Sequence, residues 1–438
     1  MTATPLDPLA DRSLDAAVTG TSNWTRSERR QAGEAHRREV PLESHAEAPP
    51  LDQRADPIAL LTAQDALRLS ELVPIRHGRM STSAFTFYRG AATVMASDLS
   101  KRPSTGLSVQ LCGDAHLSNF GVFNGPDRRL VFDLNDFDET LPGPFEWDVK
   151  RLAASVAIAA RDNGISDRKS EAAARAAVTG YRQTMDEVAH LDPLAVHYYR
   201  LEFDEVLAQL NRKARERQER AAAKATRRNS LRAFDRLTEV VGGERRIVDD
   251  PPLVRRLDVL GDTTREAPAD FFQRYLDSLP LARQRVLERY RLVDVAHKVV
   301  GVGSVGTRCL IVLLTTGDDE PLFLQFKEAT TSVLEPYLGT SEFSLSGERV
   351  VQGQRLMQSA SDVFLGWAQF DSAAAGRTVD FYFRQLWDGK GSADVDAMGP
   401  KLLRMYAEVC GATLALAHGR TGDAAMIAGY LGDDDTFD

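Results

Sequence analysis

Cysteine and histidine are both scarce in this chain of 438 residues, which contains three cysteines and eight histidines. The cysteines lie far apart, at Cys112, Cys309 and Cys410, and form no CxxC or Cys/His pair with the spacing of metal ligands. An odd number of isolated cysteines favours neither a disulfide framework nor a structural zinc site. We therefore expect reduced thiols and a cytoplasmic protein.

The chain also lacks long apolar runs and an excess of positive charge. Its most apolar helix-like stretch, residues 152–160, is too short to span a membrane, and residues 1–30 contain no apolar signal segment. The formal net charge of -9 argues against general nucleic-acid binding, which needs a basic surface. These features predict no membrane or nucleic-acid partner and leave the oligomeric state open. A small anion held by a few local cations remains compatible with them.

Changes in composition divide the chain into four segments. Residues 1–55 contain few large apolar residues and are predicted to be a mostly disordered leader. Helical periodicity dominates residues 56–290, predicted to be a helical catalytic lobe; its basic stretch 211–232 is interpreted as a solvated helix or, alternatively, as a positive surface. Residues 291–396 predict a sheet-containing lobe. Residues 397–438 have amphipathic helical spacing and are predicted to return to the helical lobe.

The strongest local motif is GDAHLSN, residues 113–119, which follows a predicted strand. Asp114 and Asn119 have the spacing at which kinases place a proton-accepting or hydroxyl-orienting carboxylate beside a metal-binding amide oxygen. His116 lies between them and is counted with the catalytic candidates. Two alternatives stay open. The motif could be a pair of turns that cap backbone amides, or part of a two-metal phosphoesterase, which the few histidines disfavour.

Three carboxylates follow in and after the next predicted strand, at Asp133, Asp136 and Asp138. Hard cations such as Mg²⁺ prefer carboxylate oxygens. Asp133 falls within the alternating strand pattern and is expected to bond backbone amides. Asp136 begins the turn, so we predict that it is the principal metal ligand, with Asp138 as a neighbour that could join a second ion.

A second motif, GxGxxG, is formed by Gly301, Gly303 and Gly306 and is called here the glycine loop (residues 301–306); it includes Ser304. In a dinucleotide-binding fold this pattern opens a helix, but here a β-branched strand sequence follows. A glycine loop between antiparallel strands is the kinase arrangement, in which the loop covers the phosphates. The loop is therefore predicted to bind a nucleotide.

Three further residues are predicted to complete the nucleotide site. Lys327 lies in the strand after the glycine loop, where its ammonium group could reach the α- and β-phosphates; alternatively, it is an edge-strand lysine that deters aggregation. Glu348 starts a predicted helix and is expected to pair with Lys327, although helix starts favour glutamate for dipole reasons alone. The strand 381–386, with Gln385, is predicted to be a hinge whose backbone binds adenine; alternatively, it is simply a buried strand.

Four potential cations precede GDAHLSN within a short stretch of chain. They are predicted to line the acceptor side of the cleft, the alternative being solvation at the surface: Arg76, His77, Arg79 and Arg89.

Several longer stretches resemble the bacterial family catalogued as domain of unknown function 2252, from about Pro57 onward. They are PIRHGRMSTSAFTFYRGAATVMASDL, QLCGDAHLSNFGVF, VFDLNDFDETLPGPFEWDVKRLAAS, KVVGVGSVGTRCLIVLL, FLQFKEA and GERVVQGQRLMQSASDVFLGW. The family is placed among kinase-like folds and has no settled substrate. Ala84 departs from the proline expected at its position.

The series GDAHLSN and NDFDETLPGPFEWDV is also similar, in order, to small-molecule kinases of the aminoglycoside and choline type. This resemblance implies that Asp114 is the base and that Asn119 and Asp136 are metal ligands. It also implies that Asp148 is a structural carboxylate at a helix start. The separation of Asp136 from Asp148 fits that pattern better than the separation of Asp133 from Asp148.

Together these features predict an α+β protein with a two-lobed protein-kinase-like fold. The fold is predicted to be circularly permuted, because the GDAHLSN loop precedes the glycine loop, whereas an ordinary kinase runs in the opposite order. The predicted function is phosphoryl transfer from ATP, with Mg²⁺, to an unknown small-molecule acceptor. The alternatives are a nucleotide-binding regulatory protein without turnover and a kinase-like enzyme that transfers AMP. A retained candidate base argues against the former.

Overall fold

The computed structural model describes residues 23–202, 234, 236–257, 268–372, 376–386 and 391–438. The basic stretch 211–232, interpreted above as a solvated helix or a positive surface, lies outside these ranges. Among the residues described, no helix is both long and apolar enough to cross a membrane.

The structure combines helices with antiparallel sheets, which confirms the predicted α+β class. The helices are α1 (Arg26–His36), α2 (Pro57–Asp65), α3 (Val73–Met80), α4 (Ala84–Arg89), α5 (Ala92–Leu99), α6 (Glu146–Asp162), α7 (Asp167–Ala189), α8 (Pro193–Tyr198), α9 (Pro268–Asp277), α10 (Leu281–Leu287), α11 (Glu335–Leu338), α12 (Ser346–Met357), α13 (Pro400–Gly419) and α14 (Ala424–Leu431). The strands are β1 (Ser108–Leu111), β2 (Phe120–Asn124), β3 (Leu130–Leu134), β4 (Leu141–Pro144), β5 (Thr238–Val241), β6 (Glu244–Ile247), β7 (Val254–Arg256), β8 (Arg291–Lys298), β9 (Cys309–Thr315), β10 (Pro321–Ala329), β11 (Gly366–Ser372), β12 (Arg377–Gln385) and β13 (Gly391–Ser392).

Helix α1 shows that the prediction of a disordered leader is wrong for part of residues 1–55. Thr25 and Glu28 form a capping box, in which each side chain accepts a hydrogen bond from the other residue's backbone amide. The helix packs closely on α14, since a Cβ at Gly33 would lie 1.9 Å from the carbonyl oxygen of Met426. The sequence shows no apolar pattern for this helix, because the residue that it buries is Gly33 and not a large apolar side chain.

The largest sheet has the strand order β11-β12-β10-β9-β8-β7, with antiparallel neighbours throughout. Strands β9 and β10 are buried along their whole length, in a register that places Cys309 opposite Lys327. Helix α9 covers one face of the sheet, where the rings of Tyr275 and Phe383 stack with centroids 3.9 Å apart. Strand β7 belongs to this sheet although it precedes residue 291, where the predicted sheet-containing lobe begins. The strand is only three residues long, too short to give a periodic signal in the sequence.

The helical body is built around α6, α7 and α13, and its close helix crossings are made possible by glycine. A Cβ at Gly411 of α13 would lie 1.9 Å from the Ala177 carbonyl oxygen of α7, and one at Gly180 would lie 2.3 Å from the Glu408 carbonyl oxygen. The chain after residue 397 thus packs against helices encoded more than 200 positions earlier. The small β1–β4 and β13-β2-β3 sheets sit on this body and carry the GDAHLSN loop.

Helix α12 links the large sheet to this body. Its Arg349 is buried and donates hydrogen bonds to the carbonyl oxygens of Thr140, Asp138 and Thr330. Buried carbonyl groups need such partners. The large sheet and the turn after β3 are therefore held face to face, with a pocket between them.

Candidate functional site

The first turn of α6 holds the GDAHLSN loop in place through hydrogen bonds. Asp148, in the first turn of that helix, accepts hydrogen bonds from the backbone amides of Cys112 at 2.8 Å and Gly113 at 3.1 Å. Gly113 has a φ of +80°, and a Cβ there would lie 2.3 Å from the Glu139 carbonyl oxygen. The loop conformation thus requires glycine at this position, and Asp148 has the structural role that the resemblance implied.

Asp114 is held by a buried arginine that the sequence reasoning missed. Arg151 Nε and Nη2 lie 2.8 and 2.7 Å from Asp114 Oδ1, and its guanidinium carbon lies 3.8 Å from the centroid of the Tyr88 ring. Asp114 keeps a 20% exposed side chain, so its second oxygen can still meet a ligand. A signal was present in the sequence, since Arg151 lies three positions after Asp148 and therefore on the same helix face.

Two other polar residues of the loop, His116 and Asn119, lie beside Asp114. Asn119 Nδ2 donates to the Asp114 carbonyl oxygen at 2.6 Å, which leaves the amide oxygen as the atom available to a cation. His116 Nε2 lies 3.7 Å from Asp114 Oδ2. Burial lowers the pKa of His116 to about 4, so the imidazole is neutral at neutral pH. His116 is therefore uncharged beside Asp114, and its Nδ1 is buried without a hydrogen-bond partner.

The carboxylates within and after β3 separate into a structural one, Asp133, and two that line the pocket, Asp136 and Asp138. Asp133 is buried in β3 and accepts from the amides of Leu134 at 2.9 Å and Ser359 at 3.0 Å, as predicted. Asp136 and Asp138 follow the strand with side chains that are 35% and 29% exposed. These two line the pocket together with Asp114 and Asn119.

Lys327 reaches these carboxylates from the large sheet. Its Nζ lies 3.4 Å from Asp136 Oδ1 and forms an ion pair with Asp138, although Lys327 and Asp136 are 191 positions apart in the chain. Burial alone would lower the pKa of Lys327, but Asp136 and Asp138 raise it, and the net pKa lies well above its ordinary value. β10 lies between β9 and β12, so the edge-strand alternative is excluded.

The predicted pairing of Lys327 with Glu348 is not formed. Glu348 lies in the first turn of α12, while the next residue, Arg349, turns into the interior and binds the turn after β3. The ammonium group is already satisfied by Asp136 and Asp138.

The glycine loop forms the opposite wall of the pocket. Gly301 and Gly306 have φ values of +67° and +94°, which favour glycine. Gly301, Gly303 and Ser304 line the pocket, and the Ser304 hydroxyl lies 3.5 Å from Asp138 Oδ2. Gly306 instead packs against Arg68, whose Cβ would lie 2.9 Å from a Cβ at that position.

The predicted hinge is a buried strand over the residues described. The backbone of β12 pairs with β10 over residues 380–385 and with β11 over residues 377–383, so its central part presents no free edge. The amide of Gln385 donates to the Asp362 carboxylate. An adenine-binding role for the backbone of 381–383 and for the Gln385 amide is therefore wrong. The chain directly after residue 386 lies outside the described ranges.

Three of the four predicted acceptor-side cations are used elsewhere, and that prediction is wrong for them. Arg76 is fully buried and bonds Asp65, Gln64 and the Gly90 carbonyl. The other two are accounted for in the same region: His77 lies 2.7 Å from Asp65, and Arg79 donates to the Gly301 carbonyl oxygen at 2.6 Å. Arg89 does line the pocket, beside Asp114 and Asp136. Asp65, the carboxylate that contacts both Arg76 and His77, lies at the end of α2. It is too far away along the chain for local sequence reasoning to have found it.

Glu139 is a further pocket residue that sequence reasoning missed. It follows Asp138, and its carboxylate accepts from the Val333 amide at 2.8 Å. Burial raises the pKa of Glu139 to about 7. The pocket therefore contains one carboxyl group that titrates near neutral pH.

The pocket contains oxygen atoms of the kind that a hard cation prefers. Asn119, Asp136 and Asp138 supply oxygen atoms for a hard cation, while no group of three or more His, Cys, Asp or Glu side chains in the described part of the chain forms a metal site by itself. Mg²⁺ commonly takes one or two protein carboxylates and completes its shell with water and phosphate. The residues present fit that type of site.

The structure thus defines an α+β protein with a polar pocket between a glycine loop and an acidic turn. The chain belongs to the family described as "Uncharacterized protein conserved in bacteria (DUF2252)", whose model matches residues 68–438. No curated protein and no solved structure gives a significant match.

Proposed function

We propose that this protein is a circularly permuted, kinase-like phosphotransferase that uses Mg²⁺-ATP to phosphorylate a small molecule. One observation carries the proposal. Lys327, which follows the glycine loop, contacts Asp136 and Asp138, two pocket-lining residues that follow the GDAHLSN loop. Two half-sites with the residue types of a kinase thus converge although they are encoded in reverse order.

The chain order within the large sheet supports the proposal. It runs from β8 through the glycine loop to β9, then through β10 with its lysine, α12, β11 and β12. In protein kinases the glycine-rich loop likewise precedes the strand that carries the phosphate-binding lysine, and a helix follows. The departure is that Lys327 pairs with Asp136 and Asp138 and not with a glutamate of the following helix.

The proposed roles follow from the contacts of each residue. Asp114, held by Arg151, would accept or orient the acceptor hydroxyl. Asn119 and Asp136 would hold Mg²⁺, which neutralises phosphate charge when bound. Lys327 stays protonated, so it can bind phosphate oxygens once a metal ion takes its place beside Asp136 and Asp138.

The test is transfer of label from ATP into a bacterial metabolite extract incubated with the purified protein. Transfer of label from γ-labelled ATP, and none from α-labelled ATP, is the expected result. Transfer from α-labelled ATP would instead identify AMP transfer. Binding of Mg²⁺-ATP without transfer in any extract would favour a regulatory protein. The Asp114→Asn variant is the control for contaminating kinases, because it should lose transfer while keeping nucleotide binding.

A further inference from the structure

Two arginines of the helical segment before the GDAHLSN loop flank the glycine loop. Arg68 Nη1 donates to the Val305 carbonyl oxygen at 2.6 Å, and its stem packs on Gly306. The Arg89 carbonyl oxygen would lie 3.3 Å from a Cβ at Gly303. Both side chains line the same pocket as Asp114 and Asp136. The roof of the pocket therefore carries two guanidinium groups that do not come from the large sheet.

These guanidinium groups are not fully satisfied. Nε of Arg68 and Nε of Arg89 are both buried without a hydrogen-bond partner. Arg68 makes one hydrogen bond through Nη1, whereas Arg89 makes no hydrogen bond or ion pair with any residue in the described ranges. Arg76, which lies close by in the chain, differs in its terminal nitrogens, which bond three acceptors, although its Nε is likewise without a partner.

Three carboxylates that line the pocket together with Arg89 are already engaged by other cations. Asp114 is bound by Arg151, and Asp136 and Asp138 are bound by Lys327. Burial lowers the pKa of Arg68 to about 10, so that side chain remains charged at neutral pH. A buried N–H donor without an acceptor, such as the Nε of each arginine, is costly. A site that tolerates two such groups is suited to an anionic ligand.

We propose that Arg68 and Arg89 form an oxyanion-binding site that recognises a phosphoryl or carboxylate group in the pocket. Guanidinium groups suit such a group because their paired N–H donors match two of its oxygens. The oxyanion has two sources, a phosphate of the nucleotide or an acidic group on the acceptor. Assignment of the oxyanion to a nucleotide phosphate rests on the proposed function, whereas binding of an oxyanion as such does not.

The experiment measures binding of Mg²⁺-ATP, Mg²⁺-ADP and inorganic phosphate by calorimetry to wild type, Arg68→Gln and Arg89→Gln. Arg161→Gln is the matched control, because it removes the same charge from an exposed position on α6. Thermal unfolding of each variant checks the fold, and Arg89→Lys tests whether charge without the fork geometry restores part of the affinity.

The proposal expects at least a tenfold loss of affinity for one or more of these anions in Arg89→Gln, and a smaller loss in Arg68→Gln. A loss for ATP but not ADP assigns the site to the γ-phosphate, and a loss for both assigns it to the inner phosphates. A loss for inorganic phosphate alone assigns it to an acidic acceptor. Folded variants that keep all three affinities within twofold would overturn the proposal. If wild type binds phosphate but not ATP, the proposed function fails while the oxyanion site stands.

Discussion

Replacing Lys327 by methionine should change two affinities in opposite directions. The substitution keeps the apolar stem in its buried position and removes the charge, since the side chain is only 2% exposed. Lys327 is the cation that neutralises Asp136 and Asp138. Without it, Mg²⁺ alone should bind these carboxylates more tightly. Mg²⁺-ATP should bind more weakly, because a phosphate-binding cation is lost.

The magnitude follows from the geometry. Unit charges 3.4 Å apart interact by about 5 kcal/mol at an effective dielectric constant of about 20. Water reaches Asp136, whose side chain is 35% exposed, and the lysine must leave the carboxylates before it binds phosphate, so the observable effect is smaller. We expect about a tenfold to hundredfold loss in ATP affinity, equivalent to about 1.4 to 2.8 kcal/mol.

The assay is calorimetric titration of wild type, Lys327→Met and Lys327→Arg, first with Mg²⁺ and then with ATP at saturating Mg²⁺. Lys401→Met, at an exposed site in the first turn of α13, is the control for a change of net charge. Lys327→Arg should recover part of the ATP affinity. A folded Lys327→Met protein with unchanged affinity for ATP would refute the assignment of Lys327 to phosphate binding.

Three further predictions concern the turn after β3 and the helix core. Asp136→Asn should reduce Mg²⁺-dependent turnover by about 100-fold or more in a folded protein, measured by label transfer; loss of turnover in Asp133→Asn alone, with the fold retained, would shift the metal assignment. Because burial raises the pKa of Glu139 to about 7, its contribution to stability is present below about pH 4.5 and is lost as the pH rises through 7. Chemical denaturation across this range should therefore show a decline in the free energy of unfolding that Glu139→Gln removes. An equal decline in the variant would contradict this prediction. Gly411→Ala should destabilise the α7–α13 crossing by about 2 kcal/mol or more, because the Cβ would meet the Ala177 carbonyl oxygen at 1.9 Å; an unchanged thermal midpoint would contradict this.

Local motifs predicted the parts of the site whose chemistry resides in short stretches of chain. The spacing of Asp114 and Asn119 identified the GDAHLSN loop, and the position of Asp136 after the strand separated it from Asp133. The β-branched and apolar sequences after the glycine loop predicted two strands, the second of which carries Lys327. Each of these inferences needed only neighbouring residues.

The remainder depends on contacts between distant segments. Whether Arg76 is a ligand-binding or a structural cation is decided by Asp65 and Gln64, which approach it only in the folded chain. The sequence predicts that Glu348 pairs with Lys327, but which residue of α12 turns into the interior is decided by the packing of this helix, and that residue is Arg349. α1 was missed because it buries Gly33 and no large apolar residue, and its ion pairs, Arg29 with Asp423 and Arg30 with Asp186, are made with distant segments.

The most direct test of the central claim is a crystal structure with Mg²⁺ and a non-hydrolysable ATP analogue. The account predicts phosphates between the glycine loop and Asp136, with Lys327 Nζ within hydrogen-bond distance of a phosphate oxygen and Mg²⁺ bound by Asp136 and Asn119. An analogue bound outside this pocket, or a structure in which Lys327 keeps both carboxylates at saturating analogue concentration, would contradict it.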